Sequence, residues 1–459
     1  MFFQLGVSVI RLRILFVNTF LLVSVLVRIS VMSPGPSSKE SDYLYSLSNK
    51  GEYGQLVQYI ANHERESVRY GAAGVLSESV HAFAQQRTPK AQQMLVQSVV
   101  TDPSDAVRGK VMRVLLEIDE STADTVITWL ESNPDAVRNS SPYPLILTKW
   151  NSSQHVSLRY LAVVGFGRTS GKNSVTKLRT KLKEEDSIRV LCRAIEEAGE
   201  IGDESFVTPI QQHLRGDEND YYDAGAWSEY SQSAVQQQAV EALVEIGTNA
   251  AYEALVTSTR SSDTELKQYA IKEIGRFGLE DTVDVVVDQL DDEDDDLRED
   301  AAKGVITAFT ESYFEDSDDV RRSALEAIVD DVSVNVSSEF ASIIEESDAK
   351  TEKRNAAWVL GELDEVSSDA VDSLFDSLRE GDAYLQNISM ASLSKINENN
   401  NDFDVDAKLQ RFRKSVSEDS DMYELCDVLE ELMSNTAEEA KKNIVEYSYV
   451  SDPSDYPSS

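Results

Sequence analysis

The sequence predicts an all-α protein in which short helix pairs stack into an α-solenoid, and three features carry this prediction. An Asp-x-apolar-Arg phrase opens several helical segments, as at Asp105–Arg108, Asp186–Arg189 and Asp318–Arg321. Alanine then alternates with larger aliphatic residues at helical spacing, as in Val190–Ile195. Many of these segments end at a glycine. A supersecondary unit that recurs along a chain indicates an array rather than one globular core.

The basic residues of these phrases set the length of the repeat. A gap close to thirty residues separates Arg159 from Arg189, which is enough for two short helices and two turns, and similar gaps recur further along. We expect each arginine, with an aspartate two or three residues before it, to join a ladder of ion pairs and carbonyl contacts between repeats. A row of ligand-binding arginines is the alternative. The predicted ladder consists of Arg69, Arg108, Arg159, Arg189, Arg298, Arg321 and Arg354, with Gln236, Lys267 and Gln386 at equivalent positions.

Glycines are expected to end these helices in the left-handed conformation that other residues adopt less readily. Another, weaker helix follows each stop, for example from Thr282 to Leu290. The array is interrupted at Pro142 and Pro144, which cannot continue a helix. It is interrupted again between Arg189 and Gln236, where the interval exceeds the others by about half a repeat. The predicted stops include Gly202, Gly247, Gly278 and Gly361.

The quoted helices, with their Asp-x-Val-Arg-like openings and Ile-Gly endings, resemble HEAT repeats, and in particular the short form first associated with phycocyanobilin lyases. The resemblance covers residues 53–397. It implies a superhelical array of HEAT-like helix pairs. Because this architecture serves scaffolds, adaptors, lyase subunits and some DNA-repair enzymes, the resemblance alone does not select a function.

Five segments are expected along the chain. An apolar leader spans 1–32, an N-terminal segment 33–52, and the repeat solenoid 53–397, with an insertion at 216–233. Capping helices at 398–446, formed by Asp421–Met433 and Ala437–Val445, are expected to cover the exposed apolar end of the array. The last segment, 447–459, holds two prolines and several serines, and this composition favours a disordered tail.

The leader holds three arginines and no acidic residue. Its uncharged run, Ile14–Val27, has 14 residues, whereas a membrane-spanning helix needs about 20. It could be a signal peptide, although no Ala-x-Ala-like cleavage site follows Arg28, or a membrane anchor through residues 14–31. We favour translated upstream sequence, with Met32 as the true start, because Ser33–Glu40 reads as an ordinary soluble N-terminus. The protein is then expected to be cytoplasmic, and to meet a membrane only if residues 1–32 belong to it.

Acidic residues dominate the composition. The chain has 82 acidic and 43 basic side chains, a net charge of -39 and a pI near 4.4. The acidity is spread over nearly every repeat and peaks at Asp291–Asp296. So much like charge is tolerable at molar salt, where the screening length is roughly 3 Å, which favours a salt-in halophile as the source. The same charge argues against nucleic-acid binding, including by a HEAT-like DNA glycosylase, because such binding rests on cations.

One repeat departs from this acidity. Between Lys172 and Arg193, basic residues outnumber acidic ones. This segment is either an ordinary solvated helix face or a docking patch for an acidic partner protein. The candidate contact residues are Lys177, Arg179, Lys181 and Lys183.

The insertion between the Arg189 and Gln236 repeats is the strongest candidate for recognition. It is a polar, glycine-bearing stretch, and a loop gives aromatic rings no core to enter. Tyrosine and tryptophan are frequent hot-spot residues at interfaces. The rings either bind a partner or fold back to cover the solenoid, and they are Tyr221, Tyr222, Trp227 and Tyr230.

No catalytic, cofactor-binding or metal-binding residue is predicted, and no cofactor is expected. The four histidines lie in different repeats and form no HExxH motif. Only Cys192 and Cys426 are present, without a CxxC pair. Cys192 lies in an alanine-rich helix and is expected to be a small core residue.

These observations favour a non-catalytic scaffold or adaptor that mediates protein–protein interactions in a halophile. Short-repeat HEAT proteins of salt-loving archaea, which this chain resembles in repeat type and charge, include one encoded with the taxis machinery, so taxis signalling is one expected setting. The alternative is a bilin-lyase-like enzyme subunit acting on a tetrapyrrole–protein substrate. The charge and the lack of a Cys–His pair oppose that alternative.

Overall fold

The computed structural model describes residues 35–137, 140–215, 231–312, 317–399, 404–417 and 420–434, and all regular elements in these ranges are helical. The chain divides into two compact units, 1–178 and 179–459. The first unit contains α1 Ser38–Asn49, α2 Tyr53–Asn62, α3 Glu66–Glu78, α4 Val80–Gln86, α5 Pro89–Thr101, α6 Asp105–Ile118, α7 Thr122–Ser132, α8 Leu145–Asn151 and α9 Val156–Thr169.

The helix α10, Lys172–Glu184, contains the division between the units. The second unit continues with α11 Ile188–Ile201, α12 Val207–Leu214, α13 Gln232–Ile246, α14 Asn249–Ser258, α15 Thr264–Ile274, α16 Glu280–Val287, α17 Asp295–Glu311, α18 Ser317–Asp331, α19 Ser337–Glu346, α20 Lys350–Glu362, α21 Ser368–Glu380, α22 Ala383–Asn399, α23 Val405–Ser415 and α24 Asp421–Ser434.

Within the first unit, the helices form two layers. The second helices of successive pairs, α3, α6 and α9, pack on one another in order, and α2, α5 and α7 form the other layer. The apolar residues of α6 recur every fourth position, so that Val107, Val111 and Leu115 lie on one buried face. This arrangement confirms the predicted all-α array of helix pairs.

The second unit repeats the arrangement with one extra helix. The second helices α11, α13, α15, α17, α20, α22 and α24 pack in sequence. The extra helix α18 packs on α16 and α17, while α17 contacts α20 directly. Its buried stripe, Val320, Ala324 and Ile328, has ordinary helical spacing, which is why the sequence pattern resembles that of a regular repeat. Arg321 therefore lies at the start of an extra helix, which is not part of a regular helix pair.

Side chains in the turns cap the N-termini of many of these helices. Thr88 accepts a hydrogen bond from the backbone N–H of Ala91, and Asp263 accepts one from that of Leu266. Such caps satisfy donors that the first turn of a helix leaves unpaired. The polar turns of the sequence thus place the boundaries between helices.

Three of the predicted glycine stops lie at helix ends. Gly202, Gly247 and Gly278 have φ angles of 68°, 62° and 58°, in the left-handed region that glycine enters at little cost. The prediction for Gly361 is wrong, because this residue lies inside α20. A Cβ atom there would lie 2.6 Å from Ser392 Oγ and 2.7 Å from Ser392 Cα of α22. Gly361 is needed for close helix packing and does not end a helix.

At the C-terminal end, α24 packs against α22 and α23 and closely matches the predicted helix Asp421–Met433. The leader 1–32, the second predicted closing helix Ala437–Val445 and the tail 447–459 lie outside the described residues, and the predicted segment boundaries remain predictions. Among the helices described above, none is both long and apolar enough to cross a membrane.

Candidate functional site

Each contact of the predicted ladder that joins two successive repeats is here called a rung, and the pair Arg69–Asp102 is one such rung. Arg69 Nε donates to Asp102 Oδ2 at 2.6 Å and Nη2 to Oδ1 at 3.0 Å, and both side chains are buried. Nη1 also donates to the backbone carbonyls of His63 and Glu64 at 2.9 Å. Asp102 in turn accepts from the backbone N–H of Ser104 at 2.8 Å. One aspartate therefore shapes the turn before α6 and binds the arginine of the preceding repeat.

The second unit contains similar contacts between repeats, some of them formed by other residue types. In the rung at Arg354, Asp382 accepts from Arg354 Nη2 at 2.7 Å and from the backbone N–H of Leu385 at 2.9 Å. The other cross-repeat rungs join Gln236 to Asp263 at 2.9 Å, Lys267 to Asp292 at 2.6 Å and Arg298 to Glu339 at 2.8 Å. A glutamine can therefore replace the cation in a rung.

The remaining ladder arginines make different kinds of contact. Arg108 pairs with Asp105 at 2.8 Å within its own helix, and Arg159 Nη1 donates to the Ser153 carbonyl at 3.1 Å. The Arg321 guanidinium lies 5.8 Å from the ring centre of Trp358, and Arg189 is buried. The ladder positions thus differ in their contacts, and most of their side chains lie inside the protein.

One of the four residues of the predicted basic patch on α10 is buried in the structure. Lys181 is buried, and its Nζ lies 2.7 Å from Glu185 Oε2, so it is not available to a partner. Arg179 and Lys183 are exposed, and Lys177 is half-buried. The other predicted contact residues, Tyr221, Tyr222, Trp227 and Tyr230, lie outside the described residues.

The first unit contains an aromatic pocket that the sequence analysis did not identify. Its volume is about 240 Å³, and Leu44 and Val68 form its buried apolar floor. The rings of Tyr43 and Tyr59 meet edge to face with centroids 5.9 Å apart, and His63 stacks on Tyr59 at 5.8 Å. The pocket, here called the Tyr43 pocket, is lined by Lys39, Glu40, Tyr43, Leu44, Tyr59, His63 and Val68.

Most polar groups around the Tyr43 pocket are engaged. Glu40 accepts from the Ser37 backbone N–H at 2.9 Å and from Arg65 Nη1 at 2.6 Å. The Ser37 hydroxyl, which also donates to Glu40, holds the pKa of this carboxyl below its usual value. Interaction with the Tyr43 hydroxyl raises the pKa of Tyr59. His63 Nδ1 accepts from the Arg65 backbone N–H at 3.1 Å, so in the neutral ring Nε2 carries the proton.

Local sequence patterns do not reveal this pocket, because it depends on contacts between helices. Residues 33–52 precede the predicted solenoid, yet α1 from this segment packs on α2 and α3. The available signal was the pair Tyr43 and Tyr45 in a short helical stretch. Both remain about half exposed, at 46% and 44%.

A second cavity, of about 250 Å³, lies among α19, α20, α21 and α22. Its charged walls pair largely with one another. Lys350 Nζ lies 3.7 Å from Asp382 Oδ2, Lys353 donates to the Glu345 carbonyl at 3.4 Å, and the Ser373 hydroxyl donates to the Glu345 carboxylate. Within the described ranges, no group of three or more His, Cys, Asp or Glu side chains is arranged to hold a metal ion. The thiols of Cys192 and Cys426 are buried.

Glu197 is an unusual buried acid on α11. Burial raises its pKa to about 7, outweighing the attraction of Arg193, whose Nη2 lies 2.6 Å from Glu197 Oε1. The nearby carboxylates of Glu200 and Glu196 contribute to this rise in pKa. The folded protein therefore holds a proton on Glu197 at pH values where the unfolded chain has released it.

This shift predicts a pH dependence of stability. Below the ordinary pKa of 4.5, Glu197 is protonated in both the folded and the unfolded protein, and its contribution to folding stability is fully present. This contribution is lost as the pH rises through about 7, the pKa of Glu197 in the folded protein. The free energy of unfolding is expected to fall less between pH 4.5 and about 7 in Glu197→Gln than in the wild-type protein. We expect the difference to be on the order of 1–2 kcal/mol. Urea titrations at a series of pH values would measure it. Glu196→Gln is the control, since Glu196 contacts the same arginine but is 40% exposed; an equal effect of both changes would contradict the assignment.

The comparison with family models agrees with the helix-pair architecture. Residues 229–306, which contain α13 to α16 and part of α17, match the family model of HEAT repeats. Among curated proteins, none matches the chain. Three solved structures illustrate the structural similarity. The first is an engineered protein with 17% identity, covering 84% of this chain and 100% of that chain at a TM-score of 0.45.

The second structure is the complex of CpcE and CpcF of phycocyanin lyase from Nostoc sp. PCC7120. It is 14% identical, and the match covers 64% of this chain and 95% of that chain at a TM-score of 0.30. The third is Kap95p with RanGDP, with 13% identity, 85% of this chain and a TM-score of 0.37; the match spans 52% of that chain. Residues 229–306 therefore match the family model of HEAT repeats, and the stacked helix pairs agree with that match.

Proposed function

We propose that this protein is a non-catalytic scaffold that binds other proteins on the outer surfaces of its HEAT repeats. The proposal rests on a difference in exposure between the side chains of the ladder and the aromatic side chains of the surface. Rung side chains such as Arg69 and Arg354 are buried in contacts between repeats, whereas Tyr43, Tyr45 and Tyr70 expose between 43% and 46% of their surface. Exposed aromatic residues on a rigid array are suited to act as contact residues for a partner.

The setting that we propose is the cytoplasm of a salt-in halophile, with taxis signalling as the pathway. The charge of -39 supports the halophilic part, because at molar salt the repulsion between carboxylates is screened within roughly 3 Å. The resemblance to a HEAT protein encoded with a taxis system supports the pathway. Proteins rather than nucleic acids are the expected partners, since phosphate binding requires a positive surface.

The halophilic setting predicts that helical circular dichroism is lost as potassium chloride is lowered from molar to millimolar concentration. Repulsion then acts over roughly 30 Å instead of 3 Å, along a chain that carries 82 acidic residues in total. Sucrose at matched osmolality is the control, since it cannot screen charge. Unchanged helicity in millimolar salt would contradict the halophilic part of the proposal and leave the scaffold function untouched.

The scaffold function is tested by purifying the native protein at molar salt and mapping its contacts by crosslinking and mass spectrometry. We expect reproducible crosslinks between partner proteins and the first unit, or residues 172–230. A preparation without protein partners that carries a bound chromophore or other small molecule would overturn the proposal and favour an enzyme subunit.

A further inference from the structure

The extra helix α18 breaks the stacking order of its layer. In the second unit, α12 packs on α14, α16 on α18, and α19 on α21. The helix α19 follows α18 along the chain, yet it packs on α17, α20 and α21. In a regular array each repeat packs on the repeat before it and on the repeat after it. Among the described residues, α18 therefore lacks the following neighbour that a regular array would place in this layer.

A stripe of apolar side chains is left uncovered at the C-terminal half of α18. Leu325, Val329 and Val332 follow one another at spacings of four and three residues, which places them on one face. Val329 is 46% exposed, and Val334 in the turn that follows is 40% exposed. Leu325 and Val332 are half-buried. The stripe extends for two helical turns, or about 10 Å, and aliphatic side chains at this spacing form the ridges on which a second helix packs.

The charges beside this stripe are mainly acidic. Asp319, Glu326 and Asp330, at spacings of seven and four residues, form an exposed row along one edge of the stripe. Asp331 at the end of the helix is exposed as well. On the described part of α18, these four acidic residues stand against one exposed basic residue, Arg322, which pairs with Asp319 at 3.1 Å. The exposed face of α18 is therefore locally negative.

The turn after α18 adds another carboxylate to this surface. Asp291 accepts from the Ser333 backbone N–H at 3.0 Å and from the Ser333 hydroxyl at 2.7 Å, next to the exposed Val334. A negative rim complements lysine and arginine and repels carboxylates. It therefore disfavours a second copy of this chain, whose net charge is -39. The apolar stripe, its acidic row and this turn are here called the α18 surface.

We propose that the α18 surface binds an amphipathic helix of a partner protein, with an apolar ridge that is flanked by lysine or arginine. The proposal rests on the scaffold function and adds one contact site to it. The partner helix takes the place of the missing neighbour of α18 and buries Val329 and Val334. At molar salt this burial supplies most of the affinity, because surface charges are screened. Glu326 and Asp330 supply the preference for basic flanks.

The test uses the full chain in molar potassium chloride and the fluorescently labelled peptide acetyl-Lys-Ala-Leu-Lys-Lys-Ala-Leu-Ala-Lys-Leu-Lys-Lys-Ala-Leu-amide, with binding measured by anisotropy. Combining Val329→Ser with Val334→Ser should weaken binding about tenfold. Combining Glu326→Lys with Asp330→Lys should weaken it about threefold and improve binding of a peptide with glutamate at every lysine position. Leu145→Ser is the control, because Leu145 is 66% exposed but lies in the first unit.

Three results would overturn the proposal: no binding of the lysine peptide, equal binding by the Val329→Ser, Val334→Ser chain, or equal binding of the lysine and glutamate peptides. A dimer in light scattering that these two changes abolish, without peptide binding, would assign the α18 surface to a second copy and also overturn it. Native partner crosslinks that all lie outside α18 and its following turn would overturn this proposal and leave the scaffold function standing. A native preparation without protein partners would overturn both.

Discussion

Arg69→Met is expected to lower the free energy of unfolding by about 3–5 kcal/mol, because it leaves the buried Asp102 carboxylate without its cation. Among the described residues, the Ser104 backbone N–H is the hydrogen-bond donor that Asp102 would keep. Methionine retains the apolar stem of the arginine, so the loss isolates the guanidinium contacts. Urea unfolding at molar salt, followed by circular dichroism, would measure the change.

Arg65→Met provides the control for this prediction. Arg65 also lies 2.6 Å from a carboxylate, that of Glu40, but its side chain is 55% exposed. An exposed pair contributes little to stability, because water and salt screen its charges. Similar losses for Arg65→Met and Arg69→Met would contradict a special role for the buried rung. Adding Asp102→Asn to Arg69→Met should recover part of the loss, because the amide is neutral and its oxygen can still accept from Ser104.

Gly361→Ala is expected to destabilise the protein by about 2–3 kcal/mol, although alanine is the better helix former. The new methyl group would lie 2.7 Å from Ser392 Cα, so the backbone of α22 would have to move. It would also disturb the Ser392 hydroxyl, which donates to the Ala357 carbonyl at 2.7 Å. Thermal and urea unfolding at molar salt would both report the loss.

The matched control is Gly74→Ala, in the middle of α3. There the nearest atom to a new Cβ is the Lys110 side-chain Cε at 3.8 Å, which is an ordinary contact. This change should stabilise the protein by about 0.5–1 kcal/mol through helix propensity. The same substitution is thus expected to have opposite signs at the two sites. A stabilising effect at both would show that α20 and α22 can separate without cost.

The comparison of Gly361 with Gly202 shows where sequence reasoning reaches its limit. Both glycines follow an aliphatic helical pattern, and a local signal cannot distinguish a glycine needed for positive φ from one needed for close packing. Gly202 has a φ of 68°, whereas Gly361 faces Ser392, 31 residues further along the chain. Lys181 illustrates the same point: its place in a basic run suggested exposure, but packing buries it beside Glu185.

What the sequence determined by itself is the repeat: the helix periods, their polar starts, the Asp-x-apolar-Arg phrase that opens several helices, and the acidic surface. These are properties of residues within a few positions of one another, because helical periodicity and capping act over one or two turns. Only the tertiary structure decided that α18 is an extra helix, that Asp102 serves Arg69, and that Tyr43, Tyr59 and His63 form one pocket. Those contacts join different helices, and stacking geometry, which no local pattern encodes, selects which side chains meet.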